Sequence, residues 1–332
     1  MKFNEDARVK IPCILHLIKL GYDYLPLKNT EWDLDTNIFT DVFLKSILKI
    51  NNGLKNDDAK RLLDEVSLSL DNEDLGKAFY KRLTQKSGVN LIDFENFENN
   101  TFNIVTELAY KNGEDEFRPD IILLINGMPL VFIEVKKPNN QDGILAERER
   151  INTRFQNKKF RKFVNLTQLM VFSNNMEYDD ESPLPIEGAF YASPSYHMAT
   201  FNYFREEEQL DLSILLKPED NLVENIVLKD NNLVGIKNSE EFLTNKSPNA
   251  PTNRICTSLF SKDRLAFILD YAIAYVNETN GLQKHIMRYP QLFATKAIEK
   301  KLEEGIKKGI IWHTQGSGKT ALAFYNVKHL TD

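Results

Sequence analysis

Residues 118–138 read RPDIILLINGMPLVFIEVKKP. Two apolar runs flank Asn126-Gly127, the strongest short-range signal for a β-hairpin. A chain that only had to fold would keep charges out of such strands. Here Asp120 opens the first run, Glu134 stands inside the second, and Lys136 follows two places later. Alternate residues of a strand share a face, so Phe132, Glu134 and Lys136 point one way and Val131, Ile133 and Val135 the other. With a loop of two, three or four residues, Asp120 faces residue 133, 134 or 135. In each case its carboxylate comes near Glu134, since cross-strand neighbours lie about 5 Å apart. Two like charges at that separation repel by about 3 kcal/mol at an effective dielectric near 20.

A divalent cation reverses the sign of that term, because carboxylates are what Mg²⁺ selects. The carbonyl of Val135 adds a further oxygen. Lys136, on the same face, can position or help deprotonate an attacking water and neutralise a phosphate. The plainer reading is a charged edge hairpin, with Glu134 and Lys136 paired and Asp120 capping a turn. Pro119-Asp120, placed across the turn from Glu134, weighs against it.

Outward from the hairpin, residues 5–20 have helical periodicity that stops at Gly21, and residues 37–84 read as further helix broken near INNGLKNDD. TFNIVTEL and TQLMVFSNN read as strands. A charged helix is expected over roughly 142–163. Helix, three strands, helix, strand is the order of an α/β core. From about 178 to 255 the chain is rich in Pro, Asn, Asp, Glu and Ser and reads as connectors. KDRLAFILDYAIAYV then reads as helix.

Within 148–163, Arg154, Lys158, Arg161 and Lys162 fall at helical spacing on one face, with Gln156, Phe160 and Phe163 on another. Such a basic face suits DNA phosphates. A solvated helix over the sheet is the plainer alternative.

These residues carry a resemblance. PD…EVK is similar to the PD-(D/E)xK nuclease superfamily, and FRPDIILLINGMPLVFIEVKKP resembles the amino-terminal domain of type I restriction enzyme R subunits. The resemblance implies Asp120 and Glu134 as metal ligands, with Val135 contributing its carbonyl, and Lys136 as the catalytic lysine. It implies another acid on the first helix, where Glu5 is the nearest match and Asp6 stands beside it. It also implies a glutamine with an aromatic four residues on; Gln156 and Phe160 fit, phenylalanine standing where tyrosine is usual. The expected fold is a PD-(D/E)xK nuclease core, a mixed central sheet flanked by helices, over 1–205. A connector over 206–258 and an incomplete RecA-like P-loop motor lobe over 259–332 follow.

A second constellation lies in GIIWHTQGSGKTALAFYNV, residues 309–327. An apolar strand is expected to lead into Gly316, Ser317, Gly318, Lys319 and Thr320, with a helix after them. Glycines let backbone N–H groups turn toward phosphates, the helix N-terminus adds partial positive charge, Lys319 reaches the terminal phosphates, and Thr320 can ligate Mg²⁺. His313 occupies the first consensus position in place of glycine. HTQGSGKT resembles the form found in type I R subunits, whose motor is helicase-like. Upstream, RYPQLFATKAI resembles the element that reads adenine, with Gln291 on the base and Arg288 and Tyr289 near it. Because the sequence ends soon after Thr320, weak ATP binding and no turnover are expected.

With 42% hydrophobic and 27% charged residues the composition is that of an ordinary soluble chain, and a net charge of −6 means any DNA contact must be local. Cys13 and Cys256 lie far apart in sequence and no histidines pair at ligand spacing, which speaks against a disulfide frame or a zinc site. No signal segment or long apolar run is evident. The expectation is a cytoplasmic, Mg²⁺-dependent type I site-specific deoxyribonuclease portion with ATP as second cofactor. Double-stranded DNA and the methyltransferase and specificity subunits are its implied partners. A stand-alone nuclease would cut without ATP or partners. A silent docking module would show no metal response, and Asp120→Ala would leave its binding unchanged.

Overall fold

The computed structural model describes residues 5–137, 143–177, 189–279, 281–312, 316 and 318–331. Its nine N-terminal strands are β1 (Asp23–Tyr24), β2 (Phe102–Thr106), β3 (Tyr110–Asn112), β4 (Asp115–Phe117), β5 (Ile121–Ile125), β6 (Met128–Val135), β7 (Leu169–Ser173), β8 (Ala189–Ala192) and β9 (Asn202–Tyr203). Seven form one mixed sheet in the order β1-β2-β5-β6-β7-β8-β9, while β3 and β4 make a small hairpin of their own. The β6–β7 pair is parallel and the β5–β6 pair antiparallel. A parallel neighbour requires a crossover, and the helical segment 143–166 between β6 and β7 supplies it. The protein is thus α/β with a mixed central sheet flanked by helices.

β5 and β6 are buried along their whole length, which is why they read as continuous apolar runs rather than alternating ones. One face, through Ile121, Leu123, Val131 and Ile133, packs on the helix Ile11–Lys19 and its neighbours. The other, through Ile122, Leu124 and Phe132, meets an aromatic cluster that includes Phe117, Phe155, Phe160, Phe163 and Phe172. Rings there meet largely edge to face, Phe117 and Phe163 at 4.8 Å between centroids, a favoured aromatic arrangement.

The hairpin turn is the one that Asn126-Gly127 predicts. Both residues have positive φ, 50° and 78°, as a type I′ turn requires. Past the turn the register slips by one. Leu124 pairs with Pro129, but Leu123 pairs with Val131. Proline has no N–H to give the ladder, and Leu130 becomes the extra residue of a β-bulge, its carbonyl accepting from the Gln168 N–H at 2.7 Å. The consequence lies four residues along. Ile121 faces Ile133, so the next pair sets Asp120 opposite Glu134. Without the bulge Asp120 would face Ile133.

Several expectations need correction. The charged helix is not continuous: it runs Gly143–Gln156, stops, and resumes as a 3₁₀ turn and the helix Arg161–Leu166. Asn157 causes the break, because its side chain caps the following turn by accepting from Lys159 N–H at 3.1 Å. The helix expected over KDRLAFILDYAIAYV ends at Tyr271. Residues Ile273–Glu278 instead form β10, paired antiparallel with β11 (Gly281–Ile286). The β3–β4 and β10–β11 hairpins were not anticipated. The connector region holds β8, β9 and four further helices, the last being Pro251–Phe260.

The core does not divide at 205 or 258. Pro251–Phe260 packs on the first helix: His16 Nε2 lies 2.7 Å from Thr257 Oγ1, Tyr22 donates to the Phe260 carbonyl at 2.8 Å, and the sulfurs of Cys13 and Cys256 lie 3.4 Å apart. The same core reaches Tyr325 in the last helix, Lys319–Thr331.

Two lysines lie inside this core. Lys262 Nζ sits 3.7 Å from the ring centre of Tyr22 and 3.2 Å from that of Phe102, with no hydrogen-bond acceptor among the described residues. Lys284 donates to the Thr167 carbonyl at 3.3 Å. Burial pushes both down to about 7. The fold releases these protons near pH 7, whereas the unfolded chain keeps them to its ordinary 10.5, so stability rises with pH between those values. Buried Tyr24, Tyr110 and Tyr325, held protonated by burial, reverse the trend above about pH 10. Lys262→Met is expected to raise stability at pH 7 by about 2 kcal/mol or more and to lose that advantage by pH 10. Thermal melts of both chains at the two pH values check it.

Candidate active site

The bulge fixes the two acids. Asp120 Oδ2 accepts the Val135 N–H at 2.9 Å, which ties the start of β5 to the end of β6. Glu134 is 7% exposed, and its Oε1 accepts from Lys136 Nζ at 2.8 Å. Burial, then the charge of Asp120, pushes Glu134 up to about 7; Lys136 opposes and Glu147 adds to the rise. Burial also raises Asp120, with the Val135 N–H, Lys136 and Lys10 pulling back. Lys10 is buried and paired with Glu107, whose own N–H donates to the Asp120 carbonyl at 3.2 Å. For Lys136 burial works against the ammonium, but Glu134, Asp120 and Glu147 together outweigh it and hold its pKa up.

Glu5 belongs to this group. Its pKa is raised, chiefly by burial, with Lys136 lowering and Asp120 raising it. Asp6 opens the π-helical turn that leads into the first helix. Glu147 is the member that sequence reasoning missed. It is fully buried on the Gly143–Gln156 helix, its Oε2 lying 3.6 Å from Lys136 Nζ and 2.8 Å from Arg150 Nη1. The spacing of Arg150 and Arg154, three and seven residues after an acid, was the signal available.

Other expected residues are not brought here. Gln156 ends its helix and donates to the His197 carbonyl at 3.4 Å. It lies nine residues beyond Glu147, about 13 Å along the axis. Nor do the basic residues form one free face. Arg154 lies 3.8 Å from Glu147 and stacks over Phe117, Lys158 and Arg161 pair with Glu73, and Lys162 pairs with Asp35 and with Asp71 at 3.2 Å. The break at Asn157 puts Arg154 and the other three on separate helical segments, with Phe160 and Phe163 buried and Gln156 exposed.

Among the described residues no three His, Cys, Asp or Glu side chains converge closely enough to hold a metal ion by themselves. The donor set still fits a hard divalent cation: two facing carboxylates, one raised to about 7 by burial and its neighbour's charge, carry negative potential that a cation would relieve. Val135 follows Glu134 in the chain, and its N–H is the group that bonds Asp120.

At the second constellation, Gly316 and Gly318 have φ of 79° and 80°, and the helix Lys319–Thr331 starts immediately after them. Lys319 and Thr320 are its first two residues and exposed. His313 and Ser317 lie outside the described residues. Gln291 closes a capping box with Arg288 at the start of the helix Tyr289–Glu303, accepting the Arg288 N–H at 2.9 Å. Both side chains also reach the loop: Gln291 Nε2 donates to the Gly318 carbonyl at 3.2 Å and Arg288 Nη2 to the Gly316 carbonyl at 3.4 Å. The strand expected before the loop does not form. Residues 309–312 have no partner strand among the described residues, so Ile310 and Trp312 are 92% and 90% exposed.

No described helix is long and apolar enough to cross a membrane. The sequence matches the family described as type I restriction enzyme R protein N terminus over residues 2–179, and the SWI2/SNF2 ATPase family over residues 290–332. The type I restriction enzyme MjaIXP endonuclease subunit of Methanocaldococcus jannaschii is 26% identical across 99% of the chain, which covers 32% of that protein. The HindI endonuclease subunit of Haemophilus influenzae is 26% identical across 95% of the chain and 29% of its own length. The SauCOLORF180P endonuclease subunit of Staphylococcus aureus is 22% identical across 98% and 30%. The chain therefore spans about a third of the length of these curated relatives. With more than half of its residues matched by the first of those families, the chain belongs to the type I restriction enzyme R proteins.

Proposed function

We propose that this chain carries the metal-dependent nuclease site of a type I restriction endonuclease subunit, built on a PD-(D/E)xK core and acting on double-stranded DNA. One observation carries the reading: the bulge at Leu130 brings Asp120 opposite Glu134 with Lys136 bonded beside them. A hairpin under no demand but folding has no use for two facing acids, one buried and one half-buried.

Asp120, Glu134 and the Val135 carbonyl would hold a Mg²⁺, with Glu5 at the margin. The cation supplies Lewis acidity and charge neutralisation at the scissile phosphate. Lys136, kept protonated by the acids around it, contributes as a cation and proton donor toward the phosphate rather than as a base. Asp120 is oriented by the Val135 N–H and Glu134 by Lys136, so the acids are held before any ligand arrives. Gly316, Gly318, Lys319 and Thr320, with Ser317, are the proposed ATP phosphate contacts, and Gln291 and Arg288 the adenine-side residues. Methyltransferase and specificity subunits are the proposed partners in the cytoplasm.

Isothermal calorimetry with Mn²⁺ and Mg²⁺ tests the reading directly. One ion per chain is expected, together with Mg²⁺-dependent nicking or cutting of plasmid DNA that a chelator stops. A folded chain that takes up neither ion would remove the nuclease assignment.

A further inference from the structure

Lys136 has two acidic seats within reach. Glu134 Oε1 lies 2.8 Å from its ammonium and Glu147 Oε2 lies 3.6 Å away, from a different element. Glu147 is wholly buried, and neither of its oxygens accepts a hydrogen bond of good geometry among the described residues. A buried carboxylate is costly unless its lone pairs are met. Arg150 at 2.8 Å and Arg154 at 3.8 Å offset that charge and hold the carboxylate in place. An acid present only to pair with these two arginines of its own helix would do so at the surface, where Arg150 itself is more than half exposed.

The two seats matter because Glu134 cannot serve Lys136 and a cation with the same oxygen. An ammonium has three donors and no acceptor capacity, so on leaving Glu134 it needs another acceptor close by. From 3.6 Å, closing to an ordinary hydrogen bond of about 2.8 Å takes a shift of under 1 Å.

We infer that Glu147 is a positioning residue that receives the Lys136 ammonium when a divalent cation takes Glu134. This rests on the nuclease reading above. Glu147 does not touch the cation; it clears the ligand and keeps the lysine aimed at the site.

The test is Mn²⁺ affinity by calorimetry in a double-mutant cycle of Glu147 and Lys136, on the full chain. Glu147→Gln is expected to weaken Mn²⁺ binding roughly tenfold, the scale found for residues that support metal ligands. In the Lys136→Met background the same change is expected to cost less than about twofold, because no ammonium competes for Glu134. Glu147→Asp keeps the charge for the arginines but withdraws the seat by one methylene. It is expected to weaken binding like Glu147→Gln, and it carries the test should the amide not fold by circular dichroism. Equal losses with and without Lys136 would mean that Glu147 acts by its charge or as a ligand, and the inference falls. So it does if neither Glu147 variant changes affinity while Asp120→Asn abolishes binding. If the unmodified chain binds no Mn²⁺, the nuclease reading itself has failed and the inference goes with it.

Discussion

Asp120→Asn and Glu134→Gln are each expected to abolish measurable Mn²⁺ binding and to lower Mg²⁺-dependent DNA cleavage by at least about a hundredfold. Neither is expected to weaken the fold. Asparagine keeps an oxygen that can accept the Val135 N–H now taken by Asp120 Oδ2. Glutamine keeps an acceptor for Lys136. What each substitution removes is one of two facing charges, buried at Glu134 and half-buried at Asp120. Glu134 holds its proton up to about pH 7 in the fold and up to its ordinary 4.5 when unfolded. Unfolding therefore releases a proton between those values, and stability falls as pH rises from 4.5 to 7. Above pH 7 the full cost is present, on the order of 2–3 kcal/mol. Glu134→Gln removes that cost while leaving a buried amide, so a net gain of about 1–2 kcal/mol is expected at pH 8 and none near pH 4.5. Melts at both pH values beside the calorimetry separate a residue kept for chemistry from one kept for the fold. Loss of stability together with loss of binding would return the acids to a structural role.

Gly127→Ala is expected to cost at least about 4 kcal/mol and to lower the melting temperature by about 6 °C or more. Two separate penalties add. The residue has φ of 78°, where a side chain costs about 1 kcal/mol or more. A Cβ there would also sit 2.7 Å from both the Phe39 carbonyl oxygen and the Phe43 nitrogen. These are backbone atoms at the start of the helix Thr40–Ile50, and the Phe39 N–H is itself bonded to the Gly127 carbonyl at 2.9 Å. Neither side can give without parting helix from hairpin. Gly53 is the control: its φ is 82° but nothing lies within 4 Å of its added Cβ, so Gly53→Ala should show the conformational penalty alone. Similar losses at both positions would mean that the clash is relieved elsewhere. Because the turn sets the register that carries Asp120, Gly127→Ala should lose metal binding along with stability.

What the sequence could carry was local. Asn126-Gly127 announced the turn, and the alternation after it put Glu134 and Lys136 on one face. Pro119-Asp120 and the glycines at 316 and 318 stood out because the chemistry proposed for them demands those residue types. The bulge at Leu130 was not, although Pro129 was a hint, since a residue without an N–H in a central strand must be accommodated. Glu147 was hidden for a different reason. Which side of a helix faces the sheet depends on packing, and its low-moment sequence of glutamates and arginines pointed outward. The basic residues misled in the opposite sense. Their spacing suggested an open phosphate-binding surface, but Glu73, Asp35 and Asp71 come from distant segments that local periodicity cannot place. The missing strand at 309–312 shows the same dependence, because a strand exists only beside another.

The chain has two tryptophans, and the fold gives them opposite surroundings. Trp32 stacks on Phe39 at 5.6 Å with its indole N–H buried, close to the helix that Gly127 braces. Trp312 is 90% exposed, shortly before Gly316 and Gly318. The first should emit toward the blue and resist a soluble quencher, the second toward the red and yield to it. Native fluorescence thus contains two separable signals, one reporting the integrity of the hairpin and its helix, the other whatever settles around Gly316 and Gly318.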